Sequence, residues 1–417
     1  MRSRKLTALL MTTALCATAL YGCGGDDAKT TTTPAGENKT TEEEKITCTL
    51  KVWSPAEDQA EANGQWLQTM CEQFNTEHPN WTITFEYGTC SEGDAGKTVS
   101  DDVAASADVY MFASDQLKQL VDAEGLAKLG GETATYIQDT NSKTIVDSVS
   151  RDGAIYGIPF TTNVWFMYYD KSVFSEEDVK SLDTMLEKGK VSFPMEDSWY
   201  VQSFFLAAGC TMGSDDAPEI KFGGEEGLNA ANYMIDLVNN ANFIVDADGG
   251  VDMLQEGQAN AAFGGSWNAK DAKDILGDNF ACAQLPSIDV ATGTGVMQAM
   301  AGSKAIGINP NCANQQVAVA LAKYLASEEA QKSHYELRSV VPCNTALLED
   351  ETFKSDPVAV AQNASFDNCS ILQPTYLGDR GYWDTAKAFA QAITSKATTS
   401  ANVAEKVEEL NEALKAK

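Results

Sequence analysis

The sequence predicts an α/β protein with a mainly parallel sheet, and three observations carry that expectation. Short β-rich runs alternate with helical runs along the first half of the chain, the strand–helix–strand pattern of parallel sheets. A hydrophobic fraction of 43%, with 9% aromatics, is enough to fill cores and excludes general disorder. At roughly 150 residues per domain, the 417 residues make two or three compact units, and no internal repeat of about 20–50 residues points to a solenoid instead.

The elements follow in order. The run Ile46–Trp53 (ITCTLKVW) alternates apolar and polar residues and reads as a strand. Between Asp58 and Glu77, Trp66, Met70 and Phe74 recur every fourth position with Leu67 beside them, which makes one apolar helix face. Pro79 stops that helix, and Trp81–Tyr87 (WTITFEY) is the next strand. A helical stretch near 94–105, a strand at Asp108–Phe112 and a helix at Asp115–Leu126 continue the alternation. The long apolar run Val164–Asp170 (VWFMYYD) reads as a strand with Trp165 in the core. Helical patterns follow at Val201–Ala208 and Glu225–Asn239, and Asn260–Trp267 is a strand running into a helix. A strand at Ala305–Asn309 and helices at Gln315–Ala326, Trp383–Thr394 and Val403–Leu414 complete the chain.

The N-terminus reads as an address. Met1–Lys5 is basic, and Leu6–Leu20 has the length of a signal h-region but is too short to span a bilayer. It ends in Leu20-Tyr21-Gly22-Cys23, which resembles a bacterial lipobox with Cys23 as the lipidated residue. Residues 1–22 are therefore expected to be a lipoprotein signal peptide. Residues 23–45 are expected to be the lipid anchor and a flexible tether, since Gly24–Lys45 has no large apolar residue with which to offset its ordering entropy.

Charge and composition exclude several functions. With 30 Lys+Arg against 60 Asp+Glu the net charge is −30, which repels phosphate backbones and excludes nucleic acid as a partner. Two histidines, His78 and His334, leave no material for a His-rich metal centre; no metal and no cofactor are expected. Of ten cysteines, Cys16 lies in the signal and Cys23 at the anchor; the other eight include no C-x-x-C pair, which argues against a zinc knuckle or redox dithiol. Disulfides and simple buried thiols remain equally open for these eight.

No catalytic motif survives inspection. Gly264-Gly265-Ser266-Trp267-Asn268 lacks the last glycine of a nucleophile elbow. Gly96-Lys97-Thr98 lacks the earlier glycine and the feeding strand of a P-loop. The loop beginning at Asp246 lacks the later ligands of a calcium site. No carboxylate pair stands out among 60 acids. The aromatics are better placed. Trp53, Phe112, Trp199, Tyr200, Trp267, Tyr382 and Trp383 sit near strand ends or helix starts, several beside polar residues such as Asn268 and Asp384. In open α/β sheets ligands bind beyond the carboxyl ends of strands. A flat aromatic face next to hydrogen-bonding groups matches a sugar ring, whereas for any single aromatic core packing is the simpler role.

Taken in order, the segments LKVWSPAED, ADVYMFASDQLKQLVDAEGLAKL, DGAIYGIPFTTNVWFMYYDKSVF, LQEGQANAAFGGSWNAKD, AIGINPNCANQQVAVALAKYLASEEAQ and GYWDTAKAFAQAI resemble the extracellular solute-binding proteins of ABC sugar importers, in particular the maltose/maltodextrin-binding proteins. The resemblance implies a two-lobed, periplasmic-binding-protein-like (type II) α/β fold with a ligand cleft between the lobes. It places the N-terminal lobe at 46–161 plus 303–341 and the C-terminal lobe at 162–302 plus 342–417, with crossings near Thr161–Asn163, Met300–Ser303 and Val341–Thr345. It implies ligand-binding roles for Glu57, Asp58, Phe112, Asp115, Asn163, Trp199 or Tyr200, Trp267, Tyr382 and Trp383. The sequence departs from the family at Phe112, where a tryptophan is usual, at Gln116 in place of an arginine, and at Asn163 in place of a carboxylate. The function implied is a non-enzymatic one: capture of maltodextrin-like oligosaccharides by hinge closure and delivery to ABC permease subunits, with the protein lipid-anchored at the outer face of the cell membrane. The competing readings are a surface glycoside hydrolase, and the same scaffold binding a non-sugar solute such as a peptide or polyamine.

Overall fold

The computed structural model describes residues 45–246 and 249–415. The expected signal segment, Cys23 and all of the tether except Lys45 lie outside the described residues.

Two sheets organise the described chain. In the first, Ile46–Ser54 pairs in parallel with Trp81–Thr89 on one side and with Val109–Ala113 on the other. The ten-residue strand Ala299–Ile308 then runs antiparallel to Val109–Ala113 and to Ile158–Asn163, and parallel to Ser370–Leu372. In the second sheet Phe280–Ala283, Phe166–Asp170 and Ala261–Gly264 pair antiparallel, while Val191–Phe193 joins Ala261–Gly264 and Phe243–Val245 in parallel. Both sheets are thus mixed, where the sequence predicts mainly parallel ones. The alternation holds within the first sheet's early strands, but Ala299–Ile308 re-enters that sheet from the second half of the chain and arrives in the opposite direction.

Each sheet has its own core. Leu50, Val52, Met70, Phe74, Val109 and Ile306 fill the first, and Met167, Phe193, Phe204, Phe263 and Phe389 the second. Trp165 is fully buried in the second, 4.8 Å from Tyr200 and edge-on to Phe263 between ring centroids. A smaller cluster around Phe166, Tyr168, Val341 and Phe353 lies beside them.

Three segments come together between the sheets. Thr162 and Asn163 pair with Ser303 and Gly302, and Thr161 bridges to Pro342 while its hydroxyl donates to the carbonyl of Val341. Asn141 bridges in turn to Asn344.

Local departures have local causes. The helix expected from Asp58 begins only at Trp66, because Gly64 (φ 69°) and Gln65 (φ 47°) adopt the left-handed conformation and leave two short 3-10 turns ahead of it. The helix expected over Asp115–Leu126 is a 3-10 turn, Ser114–Gln116, followed by Leu117–Asp122, and Glu124 (φ 56°) ends it. Cys48, Cys71, Cys90, Cys210, Cys282, Cys312, Cys343 and Cys369 all carry free thiols, and six of them are buried. Burial pushes the thiols of Cys71, Cys210 and Cys312 up to about 12. No helix among the described residues is long and apolar enough to cross a membrane.

Candidate functional site

The candidate site is a cavity of about 600 Å³ lined by Glu57, Glu92, Asp115, Gln116, Asn163, Trp199, Trp267, Lys304, Arg338 and Trp383, with Pro55, Ser91, Gly93 and Ala113 filling the wall between them. Strand ends supply much of it, as expected for an open α/β sheet. Ile46–Ser54 runs into the 3-10 turn that carries Glu57, and Val109–Ala113 into the turn that carries Asp115. Asn163 ends Ile158–Asn163, and Ala261–Gly264 leads through Gly265 into the turn Ser266–Asn268 with Trp267 at its centre.

Each tryptophan is fixed by its own local device. Asp197 caps the helix Ser198–Ala207, its carboxylate accepting from the Trp199 amide at 2.8 Å. The indole Nε1 of Trp199 donates to Gln373 Oε1 at 2.8 Å. Trp267 lies close against Gly265: a Cβ built there would stand 2.0 Å from the indole ring, so only glycine permits the packing. Trp383 sits in the first turn of Tyr382–Thr394, which starts after Gly381 in the left-handed conformation (φ 64°). The ring centroids of Trp199 and Trp267 are 6.1 Å apart, and Lys304 holds its ammonium 5.4 Å from the Trp267 centroid and 3.3 Å from Glu92 Oε1.

Asp115 borders the cavity beside Gln116. Gln116 Nε2 donates to its Oδ2 at 2.9 Å, while Oδ1 is sealed from solvent without a hydrogen bond. Burial holds its carboxyl above the usual carboxylate range, against the opposing effect of the Gln116 hydrogen bond. A second hollow of about 530 Å³ shares Asp115, Gln116 and Trp383 with the first and continues toward Lys118 and Asp379, which form an ion pair at 3.0 Å.

Six of the residues singled out in the sequence therefore border one cavity: Glu57, Asp115, Asn163, Trp199, Trp267 and Trp383. Four others do not. Phe112 is fully buried on an all-buried strand, its ring tip wedged against Gly157 and its edge against Gly307, and the next residue, Ala113, is the one that reaches the cavity. Tyr200 packs on Trp165 and Phe193 in the core, so the wall position on that helix belongs to Trp199. Tyr382 is fully buried, its hydroxyl donating to the carbonyl of Ser198 at 2.8 Å, and the adjacent Trp383 faces the cavity. Asp58, 1% exposed, turns away from the cavity to accept from Arg338 Nε at 3.1 Å and to bond His334 Nε2 at 2.9 Å. The cations Lys304 and Arg338 and the acid Glu92 were not singled out. Lys304 had a readable signal, a lone charge in the otherwise uncharged strand Ala299–Ile308; Arg338, at the end of a polar helix, had none.

A two-sheet α/β scaffold with a polar, tryptophan-walled cavity at its strand ends is the architecture of a cleft-binding receptor. The chain belongs to the bacterial extracellular solute-binding protein family, whose model matches residues 69–361. Its fold is that of two-lobed maltose-binding-protein-type structures. A protein solved with acarbose is 46% identical, with a TM-score of 0.85 over 88% of this chain and 98% of that one. The maltodextrin-binding protein of L. casei BL23, without ligand, is 22% identical at a TM-score of 0.79, covering 88% of this chain and 98% of its own. The galactooligosaccharide-binding protein of Bacillus subtilis (strain 168) is 23% identical over 276 residues, 61% of this chain and 64% of that relative's length.

Proposed function

We propose that the protein is an extracellular, lipid-anchored receptor that captures maltodextrin-like oligosaccharides and passes them to an ABC permease. The observation that carries this reading is the cavity wall: Trp199, Trp267 and Trp383 come from three separate elements and border one hollow together with Glu57, Asp115 and Asn163. Aromatic faces take the C–H faces of sugar rings, and the carboxylates and amide take the rim hydroxyls. The continuation of the cavity past Trp383 favours a chain of sugars over a single ring. The relative solved with acarbose supports the same ligand class.

Sugar units would be captured without covalent chemistry, and the energy for transport would come from the permease's ATP hydrolysis. Calorimetric titration with α-gluco-oligosaccharides, galacto-oligosaccharides, a peptide and spermidine tests the reading. Binding confined to the α-gluco series, with no shorter sugars released on long incubation, is the expected result. Selective binding of the peptide or spermidine overturns the sugar assignment, and release of shorter sugars overturns the non-enzymatic one.

A further inference from the structure

The helix Glu328–Arg338 places His334 and Arg338 four residues apart, hence on one face, and both meet the same buried carboxylate. Asp58 lies one residue beyond Glu57, which borders the cavity, and its side chain is turned inward against that face. His334 is itself clamped, its ring 4.4 Å from Trp66 and 5.7 Å from Phe160 between centroids. Arg338 engages Asp58 through Nε alone, and its two terminal nitrogens carry no hydrogen bond or ion pair within the described residues, although Arg338 borders the cavity. A guanidinium tethered at Nε and unoccupied at its fork is a preorganised pair of donors.

We propose that Arg338 is a specificity-determining residue that donates from its terminal nitrogens to a pair of neighbouring hydroxyls on a neutral sugar, and that Asp58, held by His334, is the positioning residue that aims it. This rests on the oligosaccharide reading above. The fork suits an anion as well in isolation, but Asp58 already offsets the charge of Arg338 and Lys304 is paired with Glu92, which leaves Glu57 to repel a carboxylate or phosphate entering beside Arg338. A polyhydroxyl ligand meets no such repulsion and satisfies both the donors and the acids.

The test is calorimetry with maltotriose and with maltotrionic acid, its carboxylate-bearing counterpart, on the full chain and on Arg338→Ala, Arg338→Lys, Asp58→Asn and the double variant Asp58→Asn/Arg338→Ala. Arg338→Ala is expected to weaken maltotriose binding by about tenfold or more, and Arg338→Lys, which lacks the fork, to recover only part of it. Asp58→Asn is expected to weaken binding on its own yet cost nothing further once Arg338 is gone, a non-additivity that a merely structural role does not produce. Asp58→Glu, which keeps the charge and shifts it by one methylene, serves the same comparison if Asp58→Asn does not fold. Unchanged maltotriose affinity in Arg338→Ala overturns the proposal. An additional loss in the double variant overturns the positioning role of Asp58. Tighter binding of maltotrionic acid that disappears in Arg338→Ala makes the fork an anion site and overturns the neutral-ligand assignment. A wild-type protein that binds no α-gluco-oligosaccharide overturns the sugar reading first and this proposal with it.

Discussion

The indole of Trp267 rests on the backbone of Gly265 so closely that a Cβ at Gly265 would stand 2.0 Å from the ring. Gly265 has φ −102°, a conformation open to any residue, so the glycine is required by the ring and not by the backbone. Gly265→Ala is therefore expected to push the indole off its seat and to weaken oligosaccharide binding. The melting temperature should fall less than in a core variant. Calorimetry beside a melting curve checks both; normal affinity in Gly265→Ala would mean that the ring's seat does not matter to the ligand.

Trp165, Trp267 and Trp383 separate wall from core. Trp267→Ala and Trp383→Ala each remove a partly exposed cavity residue and should weaken maltodextrin binding by about thirtyfold, the equivalent of roughly 2 kcal/mol. Trp165→Ala empties a fully buried site and should cost about 3–5 kcal/mol of stability instead. If the two wall variants bind normally but unfold easily, the tryptophans are structural and the wall lies elsewhere.

Asp115 gives a pH signature. Its folded-state acidity is weakened by burial, so the folded state prefers the protonated carboxyl. That preference leaves stability intact below the ordinary carboxylate range, about pH 4, and erodes it as pH rises through the folded-state value. Asp115→Asn cannot ionise and should melt higher than wild type at neutral pH, with the gain shrinking as pH is lowered toward 4. Melting curves across that range measure it, and a gain independent of pH would place its origin outside the ionisation of Asp115. The same variant exchanges a carboxyl oxygen at the cavity for an amide NH2 and should bind sugar more weakly.

The segments joined at Thr161, Ser303 and Pro342 are short and laterally paired. Motion about them is expected to bring the two sheets' loops together on ligand. Small-angle X-ray scattering at saturating maltotriose should then give a smaller radius of gyration than the ligand-free protein. An identical profile at proven saturation would show that binding proceeds without closure.

Membrane attachment is expected to depend on Cys23. Cys23→Ala should release the protein to the medium or leave it as precursor, which fractionation and mass analysis read directly. Processed Cys23→Ala that stays with the membrane would mean that another feature holds it there.

Legibility of the sequence varied with the kind of information each residue carries. Periodicity marks several helices, as the spacing of Trp66, Met70 and Phe74 marks the face that the helix Trp66–Glu77 buries, but it gives no sign of Gly131–Thr140, Glu328–Arg338 or Pro357–Asn368. It failed where left-handed residues cut the pattern: Gly64 announces the break ahead of Trp66, but Gln65 and Glu124 are not glycines and nothing in their composition announces the conformation. Strand direction was illegible, since pairing with Ala299–Ile308 is decided by a segment far along the chain. Within the site, adjacent aromatics were the hard case. Trp199 and Tyr200, or Tyr382 and Trp383, differ by one position, which on a helix turns the side chain by about 100° and moves it from cavity to core. Asp58 and Arg338 were illegible as a pair because their contact joins positions 280 residues apart.

The free thiols bear on where such a protein can be made and kept. With none of the eight described cysteines joined to another, no covalent staple contributes to the native state, and the chain reaches it without an oxidant or an isomerase. Burial keeps Cys71, Cys210 and Cys312 protonated far above neutral pH, and a thiol that does not ionise is slow to attack disulfides or peroxides. Among the described residues, then, the fold makes no use of oxidised sulfur.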